Sequence, residues 1–215
     1  MAKHPIQIPK YIQQCIDQGE HQHQDFKMRV DDSRKIARTL VAFANTSGGR
    51  IMIGIKDNGA VSGVIADEEL HMMEAASSMY TRPNVPYKVQ VWKVEYRAVL
   101  EIIVEPSSNR PHLALMEDDT WKPFIRSGDQ NLVAPAVLRE VWRVTDLDRP
   151  QKYFHTEKEK KIFQILQDTG GITLTQLSKH VSIPRKILTP LLARLIRWQL
   201  VDIQIEQDRT IYKLK

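Results

Sequence analysis

The residue types best placed for chemistry are basic, and they gather late in the chain. In a helix expected over residues 184–199, a rotation of 100° per residue sets Leu188, Leu191, Leu192 and Leu195 on one stripe. Lys186, Thr189, Ala193 and Arg197 project away from that stripe, with Arg194 at its margin. An outward face of cations and a hydroxyl suits contacts to phosphates and base edges. Arg209 falls at the tip of the hairpin expected next, where a wing would touch a nucleic-acid backbone. Net charge runs the same way. Residues 151–215 hold 12 Lys and Arg against 6 Asp and Glu, whereas residues 1–150 hold 19 against 20. The excess behind the formal charge of +5 therefore lies in the last third, and a polyanion would be drawn there. The same charges would also keep an ordinary helix solvated.

Other candidates lie in the first 60 residues. Lys27, Arg34, Lys35 and Arg38 suit phosphate contacts, or equally partners for Asp31 and Asp32. His21 and His23 alternate, so on a strand both would face one ion. With no Cys or third His nearby, two polar surface histidines are the simpler reading. Gly48 and Gly49 suit a helix-to-strand turn, whose amides would also be open to an anion. Cys15, the single cysteine, forms no intrachain bridge and reads as an apolar filler rather than a nucleophile. A lone thiol, a polar N-terminus and no apolar run near the ~20 residues of a membrane span lead us to expect a cytoplasmic protein with no membrane partner.

The elements that must carry these residues are legible. Tyr11, Ile12, Cys15 and Ile16 recur at helical spacing, and Gly19 stops that helix; Gln24 to Met28 reads as an edge strand. Asp31, Asp32 and Ser33 are caps for a helix buried through Ile36, Leu40, Phe43 and Ala44. Arg50 to Lys56 is an apolar strand, and Asp57-Asn58-Gly59 is a hairpin signal with Val61 to Ile65 returning. A helix over Asp67–Tyr80 follows, then strands Tyr87–Val94, Ala98–Val104 and Trp121–Arg126, and a closing helix Ala134–Arg143. The order gives an α+β fold with a mixed sheet over residues 1–145. Residues 146–156 show no periodicity and read as a linker. Beyond it the expected order is helix, helix, helix, hairpin: Glu157–Asp168, Leu174–Val181, Pro184–Gln199, then Leu200–Glu206 with Thr210–Leu214 around a turn at Gln207-Asp208-Arg209.

A short second helix, the turn Ser182-Ile183-Pro184 with Pro184 as first helical residue, and a longer third helix form a helix-turn-helix. Residues 157–215 resemble the winged-helix domains of bacterial transcriptional regulators. Pro190 departs from that pattern, since it removes a hydrogen bond inside the third helix and should kink its axis.

The segments Gly19-Glu20-His21-Gln22-His23-Gln24-Asp25-Phe26-Lys27, Phe43 to Gly49, Ile53 to Gly59, Arg110-Pro111-His112 and Phe124 to Gly128 resemble the Schlafen-type AlbA-like domain, a family of DNA-binding domains in bacterial regulators. Many bacterial members are followed by a winged helix. The resemblance implies a DNA-binding, regulator-like protein, self-associating through its first domain, with duplex DNA as partner and RNA as the alternative. Members have also carried an ATP-binding label, but no G-x-x-x-x-G-K-[ST] sequence occurs here. Some Schlafen relatives cut RNA with three carboxylates and a divalent metal. The matching positions are Glu20, Asp25 and Asp57, with Asp25 standing where Glu is usual. That alternative would add Mg²⁺ or Mn²⁺; otherwise no cofactor and no enzyme activity are expected. A third reading is a non-enzymatic module whose winged helix docks on protein.

Overall fold

The computed structural model describes residues 8–94, 97–143, 156–206 and 209–215. The chain divides into two compact units, Met1–Val133 and Ala134–Lys215.

In the first unit the elements run α1 (Lys10–Gln18), β1 (Gln24–Lys27), α2 (Ser33–Asn45), β2 (Gly49–Ile53), α3 (Ala66–Tyr80), β3 (Thr81–Arg82), β4 (Lys88–Val94), β5 (Arg97–Val104), β6 (Leu113–Leu115), β7 (Trp121–Lys122), β8 (Phe124–Ser127) and β9 (Gln130–Val133). The main sheet has the order β1-β2-β5-β4, with β1 parallel to β2 and the other pairs antiparallel, so the fold is α+β with a mixed sheet. Two apolar layers explain that sheet. Ile36, Leu40 and Phe43 of α2 and Met73 and Ala76 of α3 pack with Ile51, Ile53, Leu100 and Ile102. Ile12 and Cys15 of α1 pack with Phe26, Met52 and Val99, which alternate to the opposite face. Cys15 is only 2% exposed, the position of a core filler.

Asp32 caps α2 by accepting from the amides of Arg34 and Lys35. The α2-to-β2 turn needs glycine for space. A Cβ on Gly49 would sit 2.5 Å from the Phe43 ring, and one on Gly48, at φ +75°, would sit 2.7 Å from the Val104 carbonyl oxygen.

Two expectations are corrected here. Val61 to Ile65 does not return as a hairpin strand: β2 already lies between β1 and β5, and only isolated bridges form, Ile55 with Val61 and Val64 with Ala98. Gly54, at φ +101°, turns the chain out of the ladder, and its carbonyl accepts from Ser62 and Gly63. Trp121–Arg126 is two strands, β7 and β8, parted at Pro123, which has no amide hydrogen for a ladder. Three short strands, β3, β6 and β9, were not legible in the sequence.

The second unit contains α4 (Ala136–Arg143), α5 (Glu157–Thr169), β10 (Ile172–Thr173), α6 (Leu174–Val181), α7 (Arg185–Arg197), β11 (Val201–Ile205) and β12 (Thr210–Leu214). Helix α4 was expected to close the first domain. Instead its Val137 and Val141 join the second core, with Leu166, Leu177, Leu188, Leu192, Ala193 and Tyr212. A stripe of two valines fits either core, and packing decides. Capping boxes start both α5 (Thr156 with Glu159) and α6 (Thr173 with Gln176). The strand order is β10-β12-β11, antiparallel throughout. Pro184 is the N-cap of α7 rather than its first helical residue. Of the expected linker only Thr156 lies among the described residues, and of the expected hairpin turn only Arg209. Among the described residues no helix is long and apolar enough to cross a membrane.

Candidate nucleic-acid interface

Helix α7 carries its leucine stripe inward as the spacing requires: Leu188, Leu192 and Leu195 are fully buried. The opposite face is only partly open. Arg185, Lys186, Ile187, Pro190 and Arg197 are exposed. Lys186, Pro190 and Arg197 fall within about 40° of one another at 100° per residue, so they form one ridge. Among the described residues no ion pair holds Arg185, Lys186 or Arg197. Pro190 sits on the solvent side, and α7 runs unbroken through it. The missing hydrogen bond therefore leaves a carbonyl that water reaches, not a buried orphan.

Three expected contact residues are placed differently. Ala193 is completely buried, sharing a core with Val137 and Val141 of α4. Thr189, one turn earlier on that flank, is half-buried. Arg194 turns inward, where Nη2 donates to Oε1 of Glu159, a carboxylate with no exposed side chain, and its guanidinium lies 5.2 Å from the Trp198 ring centre. Glu159 also holds the start of α5, because its Oε2 accepts from the Thr156 amide and hydroxyl at 2.8 Å. Arg194, a third exposed, is thus ion-paired to a buried carboxylate. Spacing could not reveal this, because the margin of a helix is settled by whichever neighbour covers it. Arg209 stands at the hairpin, 58% exposed, with Nε 2.6 Å from Glu206.

The first unit spends its charges differently. Asp25 is buried between two cations: Oδ1 accepts from Arg126 Nη1 at 3.0 Å, and Oδ2 lies 2.6 Å from Lys27 Nζ. Arg126, 3% exposed, also donates to Asn131 Oδ1 and to the carbonyls of His21 and Gln24, and stacks 5.2 Å from the Phe43 ring centre. Glu20 Oε1 accepts from the Phe26 amide at 2.8 Å. Burial raises the pKa of Glu20, and the charges of Asp25 and Asp57 add to that rise. Glu20 therefore feels both of the other carboxylates. They are not arranged as metal ligands: among the described residues no three His, Cys, Asp or Glu side chains form a set that could hold an ion. The cation against Asp25 is the Lys27 ammonium, and a divalent ion does not fit this arrangement.

Of the remaining candidates, Arg38 Nη2 lies 3.2 Å from Glu117, and Arg34 lies 4.0 Å from Asp119 and over the Tyr80 ring. Lys35 is exposed. Loop acids some 80 residues away in sequence thus answer α2, a pairing local reading does not reach. His21 and His23 pack edge-to-face at 6.3 Å rather than converging on an ion. Burial, then the neighbouring His23, lowers the pKa of His21, so it is held as the neutral ring. The Gly48 amide is spent on the Phe43 carbonyl.

Two residues overlooked in the sequence organise the unit. Asn45 donates to the carbonyls of His112 and Phe124 and accepts from the His112 amide. His112, 2% exposed, bonds the Pro83 carbonyl and the Ser107 hydroxyl, both at 2.8 Å. The motif residues around positions 45, 110–112 and 124–128 are therefore one polar clamp. The usable signal was the polar character of Asn45 and Arg126 inside apolar runs, which demands buried partners.

This mixed sheet and its clamp define the class. Residues 20–135, more than half of the chain, match the family described as Schlafen, AlbA_2, and the chain belongs to that family. No curated protein matches the chain. Among solved structures, a protein of Corynebacterium diphtheriae is similar at 21% identity and TM-score 0.42, over 62% of this chain and 25% of that one. The N-terminal domain of a RecG-related protein of Nitrosomonas europaea is similar at 16% identity and TM-score 0.37, over 68% of this chain and 96% of that one. The chain thus spans a quarter of the Corynebacterium protein's length.

Proposed function

We propose that the chain is a DNA-binding, regulator-like protein and that its second unit is a winged helix. The order α5, β10, α6, α7, β11, β12 around one core supports this reading, as does the αL residue Ser182 that closes α6 before α7. The observation that carries it is the ridge of Lys186, Pro190 and Arg197, with Arg185 at its start, whose cations have no partner among the described residues. In this reading the first turn of α7 meets the major groove. Arg185 and Lys186 contact phosphates or guanine edges, and Ile187, 46% exposed, offers an apolar contact to a thymine methyl. Arg209 at the wing touches the backbone.

A titration of duplex DNA by fluorescence anisotropy across salt tests the proposal. Binding at low salt with log K falling linearly against log salt is expected. No binding at low salt, or a flat line, overturns it; a duplex RNA that binds more tightly would shift the partner from DNA to RNA. Self-association through the first unit belongs to the same reading, supported by the edge strand β4 with Val89 and Val91 exposed, and sedimentation velocity tests it.

A further inference from the structure

Arg50 opens β2, and its guanidinium is anchored from one side. Nη1 donates to the Tyr11 hydroxyl and lies 3.6 Å from Glu101 Oε1. Tyr11 donates in turn to Glu101, and Trp92 Nε1 donates to the other carboxylate oxygen at 3.0 Å. Glu101, 4% exposed, is therefore answered by two hydrogen-bond donors and the Arg50 ion pair. Tyr11 stacks on Trp92 at 4.8 Å, which fixes the cluster. Burial and then Glu101 raise the tyrosine pKa, so the hydroxyl stays a neutral donor.

That anchoring uses one nitrogen and leaves the rest of the fork. Among the described residues Nε and Nη2 of Arg50 have no partner. These two form the side edge of a guanidinium, with parallel N–H groups that match two oxygens of a phosphate. The Arg50 side chain is a third exposed and lines a cleft of 290 Å³. His23 lines the same cleft. Its Nδ1 lies 3.1 Å from the Gly48 carbonyl oxygen and so donates there, while Nε2 has no partner among the described residues. The remaining carboxylate at the cleft, Glu105, is paired with Lys88 at 3.3 Å. Arg126 is engaged with Asp25 and two carbonyls, Arg110 with the Thr46 carbonyl and Arg38 with Glu117. Arg50 combines a fixed position, an unspent bidentate edge and a cavity in front of it.

We propose that this cleft binds a terminal phosphoryl group, with the side edge of Arg50 as its bidentate donor and His23 donating from Nε2 when both ring nitrogens carry protons. The ligand class is a phosphate monoester, carried by a free mononucleotide or by the 5′ end of a nucleic-acid strand. The volume lies at the small end of ligand sites and admits a phosphate with its sugar. The site belongs to the first unit and does not depend on DNA binding by α7.

The test is an NMR titration of the full chain that follows arginine Nε–H signals, with the Arg50 signal assigned from its loss in Arg50→Lys. Titrants are AMP, adenosine, and a dinucleotide with either a 5′-phosphate or a 5′-hydroxyl. AMP should shift the Arg50 signal saturably and adenosine should not. Arg50→Lys, which keeps the charge but lacks the side edge, should weaken AMP binding by about tenfold or more. His23→Gln should weaken it without touching the Tyr11–Glu101 cluster, which covers the case in which Arg50→Lys misfolds. Tighter binding of the 5′-phosphorylated dinucleotide than of AMP assigns the site to strand ends, and the reverse assigns it to free nucleotides. No shift of Arg50 with AMP, equal shifts with adenosine, or undiminished AMP binding in both variants overturns the proposal.

Discussion

The two units hold basic residues in opposite ways. In the first, Arg126 is sealed against Asp25 and Lys27 is drawn to the same carboxylate, while Arg34 and Arg38 meet loop acids. In the second, one arginine, Arg194, is sealed against Glu159, and the outer ridge of α7 keeps its cations in solvent. A buried ion pair is a structural commitment, because removing one partner strands the other in a poor solvent. An exposed cation with no partner costs little and remains open to a polyanion. The buried pairs Arg126–Asp25 and Arg194–Glu159 thus specify the fold, and the unpaired cations of α7 are available for binding.

The contrast can be broken by substitution, and the largest effect belongs to Arg126. Arg126→Met leaves Asp25 with Lys27 alone and removes the tie to the His21 and Gln24 carbonyls. A loss of about 3 to 5 kcal/mol is expected, confined to the unfolding transition of the first unit in urea. A shift under about 1 kcal/mol would show that the pair is not structural. Arg194→Met should cost about 1.5 to 3 kcal/mol in the second unit by the same measurement, with duplex-DNA affinity of the folded protein kept. If it abolished DNA binding without destabilising, Arg194 would belong to the interface after all. Thr156→Ala removes the cap of α5 and should cost about 1 kcal/mol, read as a lower midpoint of the second transition.

The smallest effect concerns pH. Glu20 has its folded pKa raised, so the folded state holds that proton more tightly than the unfolded chain does. Its contribution favours folding at low pH and is lost as pH rises from the ordinary carboxylate value through the raised one. Glu20→Gln should therefore gain on the wild type across that window in denaturation curves taken at several pH values. A constant difference at all pH values would contradict the shift.

Much of this was legible in the sequence, for identifiable reasons. Helix α2 starts at an expected cap, Asp32, which acts over one turn of chain, and α6 spans the expected Leu174–Val181. The leucine stripe of α7 gave its buried side correctly. What the sequence hid depends on distant partners. Ala193 looked outward until α4 covered it, and Arg194 looked like a contact residue until Glu159, 35 positions earlier, claimed it. The Asp57-Asn58-Gly59 turn closes, with the Lys56 amide donating to the Ala60 carbonyl, but pairing stops at the Ile55–Val61 bridge because β5 takes the edge that the returning segment would need. Of the candidate carboxylates, the family resemblance grouped Glu20 and Asp25 but gave no sign of Arg126, about 100 residues on, which neutralises one of them.

The most direct test compares two double variants by duplex-DNA titration over salt. Lys186→Gln with Arg197→Gln removes the open ridge of α7; Arg34→Gln with Arg38→Gln removes cations already paired in the first unit. The expected result is that the first variant lowers the magnitude of the log K against log salt slope by about 2, roughly one per cation, while the second leaves slope and affinity near wild type. Equal losses from both variants, or a loss only from the Arg34 and Arg38 pair, would contradict the assignment of binding to α7.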